Sequence, residues 1–223
     1  MFPFDSWRIS LKTTQAQNLT DELADHTWAL LEDLYDLGPK KRPSVYFFLS
    51  SKSKNSLRGR SIYEVDLVHR QQYLGEGITL KMPPQAYVSQ IDQTIEETAH
   101  LFALSYQKST RAFLSKARPT HSSKKELWHM CLHEVFGRFT HHLIEGKLIA
   151  FKGSRNNKDL WEMAHREGYY LAGELARAYF EERIGVKDLR GWFKMNWFSP
   201  LALKKLYQLL KKAPPSANFL KLR

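Results

Sequence analysis

A chain of 223 residues, 43% hydrophobic and 13% aromatic, is long enough to bury one sizeable core and too apolar to be disordered throughout. A formal net charge of +11 asks for a negatively charged partner, and a single cysteine excludes both an internal disulfide framework and a Cys-rich zinc knuckle. The opening Met1-Phe2-Pro3-Phe4 lacks the basic and apolar regions of a signal peptide, and no apolar run reaches the ~18–20 residues of a membrane span, so a cytoplasmic protein without a span is expected.

In chain order, residues 20–37 carry Leu23, Trp28, Leu31, Leu34 and Tyr35 at helical spacing, with Thr20 or Asp21 to cap the start and Gly38-Pro39 to close the end. Residues 44–50 form a short apolar and aromatic run after Pro43, read as a strand. Residues 61–69 alternate Tyr63, Val65 and Leu67 with Glu64 and Asp66, which suits a second strand; 78–81 make a third between Gly77 and Pro83-Pro84. Beyond Pro84 the pattern is helical. Val88, Ile91, Ile95, Ala99, Phe102 and Tyr106 line one stripe, and residues 108–125 form a basic connector. Residues 126–151 are apolar nearly all round and so central, with Gly137 or Gly146 as a break point, and Cys131 inside them reads as a buried, inert thiol. Residues 159–183 form another long helix, with Ala164, Gly168, Ala172 and Ala176 allowing close packing. Shorter helices follow at 186–194 and, after Ser199-Pro200, at 201–212; Trp192, Phe193, Trp197 and Phe198 are assigned to the core. The expectation is one α+β, mostly helical domain over 1–223, with an N-terminal helix and a small three-stranded sheet before a helical half. A basic tail starts near 213.

The stretch Thr94-Ile95-Glu96-Glu97-Thr98-Ala99-His100 carries the chemistry. Two histidines at i and i+4 on one helical face, with a glutamate after the first, make a zinc site with its own general base. Here Glu97 stands at the base position and His100 at the second ligand position, while Glu96 replaces the first histidine. The motif therefore leaves open a working hydrolase, an unusual metal site, or a scaffold without the chemistry.

That motif, on the first helix after a small sheet, resembles zincin metallopeptidases of the gluzincin type. The resemblance implies a zincin-like fold and a third metal ligand on a later helix. Glu145 in His142-Leu143-Ile144-Glu145-Gly146 matches that ligand, with Glu134 in His133-Glu134-Val135 as the competing match. It also implies Glu97 as the base and a phenol, Tyr169 or Tyr170, near the oxyanion. A set of Glu96, His100 and Glu145 has one carboxylate more than the usual two histidines and a glutamate. The extra negative charge leaves a bound water less acidified and suits manganese or iron better than zinc. The expected protein is thus a pseudo-enzyme or adaptor binding a protein or peptide partner, or else a divergent metallopeptidase; its cofactor is a divalent metal or none.

Two rival readings use the same sequence. Three E-x-x-H pairs, Glu97/His100, Glu126/His129 and Glu162/His165, fall on three predicted helices, as in di-metal carboxylate bundles. His129, His133, His141 and His142 add scattered metal-binding capacity. Alternatively, the basic clusters at 40–42, 51–60, 116–125 and the C-terminus form a module for nucleic acid or an acidic protein. No G-x-S-x-G, Walker or dinucleotide loop occurs, so serine-hydrolase and nucleotide chemistry are not expected.

Overall fold

The computed structural model describes residues 13–42, 44–49, 77–82, 87–107, 124–149 and 160–211. In chain order these form helix α1 (Thr13–Tyr35), strands β1 (Ser44–Leu49) and β2 (Gly77–Met82), and helices α2 (Tyr87–Tyr106), α3 (Lys124–Glu145), α4 (Leu160–Phe180), α5 (Val186–Phe193) and α6 (Pro200–Leu209).

The architecture corrects the expected α+β, zincin-like layout. The described residues are overwhelmingly helical, and a three-stranded sheet is not among them. The β-structure they contain is one parallel ribbon, with Ser44 opposite Gly77 and Leu49 opposite Met82. The expected strand at 61–69 lies outside the described residues. Short runs such as Val45-Tyr46-Phe47-Phe48-Leu49 reveal an extended segment, but their period says nothing about how many strands pair or in which direction. The core is built by helices instead: α3 packs most extensively on α4 and then on α2, and α1 lies against α2.

Helix ends follow local chemistry. The first helix begins seven residues before the expected Thr20 and stops at Tyr35, because Asp36 takes a left-handed φ of 53°. The Leu37 N–H then reaches back to the Glu32 carbonyl at 3.0 Å, a Schellman-type closure that satisfies an end carbonyl. Gly137 does not break α3, which runs on to Glu145 and ends at Gly146 with φ +62°, a conformation that only glycine adopts without a Cβ penalty. Ser199 caps α6: its Oγ accepts from the Leu201 N–H at 3.2 Å, with Pro200 in the first turn.

Aromatic rings fill the centre. Trp28 meets Phe102 edge-on at 5.1 Å, and Tyr35 lies 4.5 Å from Phe193, which in turn packs on Phe136. Trp192 stacks on Trp197 at 5.2 Å, and both are buried, as expected; Phe198 is half-buried and stacks on His129 at 4.0 Å. Cys131 is fully buried, and burial first, then the nearby Glu167 and Glu134, push its thiol well above the ordinary range. Among the described residues no helix is long and apolar enough to cross a membrane.

Candidate functional site

Where α2, α3 and α4 meet, the core turns polar. On α3 the residues Glu134, Arg138 and His141 recur at i, i+4 and i+7, so they share one stripe of the helix. From α2 come Glu96 and His100, one turn apart, and from α4 His165 and Tyr169, also one turn apart. Two glycines let these helices approach. A Cβ on Gly137 would lie 2.7 Å from His100 Cε1, and one on Gly168 would lie 2.5 Å from Glu134 Cβ and 2.7 Å from the Cys131 carbonyl oxygen.

Glu96 is held on both oxygens. Arg138 Nη1 donates to Oε1 at 2.6 Å, His141 Nδ1 lies 3.1 Å from the same oxygen, and the Tyr169 hydroxyl donates to Oε2 at 2.8 Å. Burial alone would raise the carboxyl, but the hydrogen bond from His141 and the Arg138 charge outweigh it and hold Glu96 at about 2. Glu96 is therefore an anion at neutral pH. The guanidinium also lies 5.3 Å from the Tyr169 ring centroid, which fixes its plane from a second side.

Several neighbouring groups are pushed toward their neutral forms. Glu134 is pushed well above the usual carboxylate range, first by burial and then by the negative Glu96. Its Oε2 lies 3.4 Å from His165 Nε2. His100 is pushed down to about 4 by burial, against the pull of Glu96. His133 is pushed well down and His129 to about 3, again chiefly by burial. The His100 and His133 Nδ1 atoms lie 3.4 Å apart, so one ring donates to the other. Tyr169, raised well above 10 by burial and then by Glu96, keeps its proton and serves as a donor.

Glu96 and His100 thus sit in one cluster with Glu134, the competing match for the third ligand. Glu145, the preferred match, sits elsewhere. It follows Gly137, against which His100 is seated, by eight residues, or ~12 Å along the helix axis. Its carboxylate pairs with Lys147 at 3.2 Å. Glu97 is buried on α2. These donors do not assemble into one ligand set: Glu96 is engaged by a cation and two hydrogen-bond partners, and Glu145 is a helix end away from Glu96 and His100. Among the described residues no group of three His, Cys, Asp or Glu side chains is arranged to hold an ion; the side chains of Glu126 and Glu162, in two of the three E-x-x-H pairs, lie outside the described ones.

Arg138 is the residue that sequence reasoning passed over. The available signal was the polar stripe Glu134–Arg138–His141 on α3, a pattern that asks for a buried partner. Tyr169 was paired with Tyr170 as an oxyanion phenol; Tyr169 points inward to Glu96, while Tyr170 is 52% exposed. No protein-family model, curated protein or solved structure matches this chain.

Proposed function

We propose that this protein is a pseudo-enzyme, a non-hydrolytic binding protein that keeps a metallohydrolase-like helix motif and uses it for structure. The observation that carries the reading is the saturation of Glu96: Arg138, His141 and Tyr169 together engage both carboxylate oxygens. A guanidinium is permanently charged, and its planar fork suits a carboxylate, so it supplies the cation that the buried Glu96 requires. With Glu96 occupied and His100 seated against Gly137 beside His133, the motif joins three helices and activates no water. The activity left to such a scaffold is recognition of a partner, with a protein or peptide as the expected class.

The test is metal content and metal response of protein purified without chelators or a histidine tag. The expected result is well below one equivalent of zinc, manganese or iron, with no stabilisation on adding them. One equivalent per chain, lost in His100→Ala, would overturn the reading.

A further inference from the structure

We infer that the solvent face of α6, together with the adjoining α5, is a docking surface for the phosphodiester backbone of duplex nucleic acid. Leu201, Lys204, Lys205 and Gln208 recur at i, i+3, i+4 and i+7 and are all exposed, with the exposed Lys211 one turn further on. The opposite side of α6, carrying Leu203, Leu206 and Tyr207, is buried in the core, and the Tyr207 hydroxyl donates to Glu167 of α4 at 2.8 Å. The lysines therefore project from a fixed rod. Lys187 and Lys194, at the two ends of α5, are exposed as well, and α5 packs on α6.

What singles this surface out is that its lysine charge is not spent internally, although Arg190 of α5 is held by Asp36 and by the Asp33 and Leu34 carbonyls. Elsewhere most described cations hold a partner: Arg42 with Asp25, Arg138 with Glu96, Lys147 with Glu145, Arg183 with Glu181. Between residues 186 and 211 the only acid is Asp188, and its carboxylate accepts the Gly185 N–H at 3.0 Å as a helix cap. None of the five lysines makes an ion pair with another described residue.

The chemistry of the face selects among polyanions. Protein interfaces are centred on aromatic, Met and Arg side chains and are depleted in Lys, whereas here the one large apolar side chain on the stripe is Leu201, 60% exposed. A membrane-surface helix needs an apolar face to insert, and that of α6 is already buried in the protein. Compact lysine charges on a straight rod, without a planar or aromatic reader of base edges, fit sequence-independent contact with phosphates.

The test uses the full chain and fluorescein-labelled 20-bp DNA and RNA duplexes of random sequence, read by anisotropy. Three phosphate contacts from α6 give a salt slope of about −2.7, so raising salt from 50 to 200 mM should weaken binding about 40-fold or more. In K204A/K205A the slope should flatten by about 2, equally on every sequence. Both lysines are exposed, so this variant should keep its far-ultraviolet dichroism. K147A, at the far end of α3, should bind as the parent does. Three results would overturn the inference: no duplex binding at 50 mM salt, binding that K204A/K205A leaves unchanged, or capture by phosphatidylserine vesicles with duplex ignored. The pseudo-enzyme reading rests on other residues and is untouched by any of these outcomes.

Discussion

Lowering the pH from about 7.5 to 5.5 should unfold this protein at a far lower denaturant concentration, well before its carboxylates begin to titrate. Four buried histidines set this response. His129 is held at about 3, His100 and His142 at about 4, and His133 well below the ordinary 6.5, in each case with burial as the leading cause. Each is neutral in the folded chain and becomes protonated in the unfolded chain below its ordinary value. A depressed folded pKa contributes stability that is complete above the unfolded pKa and is lost as pH falls toward the folded one. Between pH 6.5 and 5.5 each such histidine costs about 1 kcal/mol, so the four cost about 4 kcal/mol. Glu134 acts in the opposite sense, because its carboxyl is raised in the folded state. Over the same interval it offsets part of that loss. Glu96 is silent here, since its stabilisation is present above the unfolded value of 4.5 and is lost only as pH falls toward about 2. Against a typical stability of ~5–15 kcal/mol the loss is large. Urea titrations followed by tryptophan fluorescence at pH 7.5, 6.5 and 5.5 measure it directly, the midpoint falling with little change in slope. Stability level to within about 1 kcal/mol across that range would refute the assignment of these rings as buried and neutral.

Three substitutions probe the packing of the same region. Arg138→Met should cost ~3–5 kcal/mol by stranding a buried carboxylate, and Glu96→Gln with Arg138→Met should cost less than the two singles combined; additivity in a double-mutant cycle would mean the pair is not coupled. Gly168→Ala should lose ~1–3 kcal/mol, because its Cβ would meet Glu134 Cβ at 2.5 Å and the Cys131 carbonyl oxygen at 2.7 Å. Gly191→Ala, in the exposed middle of α5 with nothing within 4 Å, should instead gain ~0.5–1 kcal/mol, and the same denaturation assay reads both signs.

The helices were legible because each repeats its apolar residues for several turns. Trp28, Leu31 and Tyr35 mark the buried face of α1, and Ile95, Ala99 and Phe102 that of α2. Helix ends were less legible where a non-glycine residue closes them: Asp36, and not Gly38-Pro39, stops α1. The sheet was misread, since six-residue runs carry no information about pairing partners, and the ribbon is parallel with two strands. In the polar cluster, the spacing of Glu96 and His100 puts both on one face of α2, because i and i+4 share a face whatever surrounds them. The partners of Glu96 lie 42, 45 and 73 residues away along the chain, and no local pattern encodes such separations. Distance along a helix axis would have favoured Glu134 over Glu145: an E-G pair at a helix end resembles a family motif but stands two turns from the residues it would have to join.

Charge balance explains why Arg138 closes the motif. Two carboxylates, Glu96 and Glu134, face the same low-dielectric space, and like charges so placed cannot both ionise without added positive charge. His141 and the Arg138 guanidinium hold Glu96 ionised, while burial and the negative Glu96 push Glu134 up. A divalent ion entering here would have to displace Arg138 from Glu96 and find another place for a buried, permanently charged guanidinium. Each step opposes binding before any coordination bond forms. Arg138 from α3 therefore supplies, as a fixed internal cation, the charge that the buried Glu96 requires, and with Tyr169 it ties α2, α3 and α4 together.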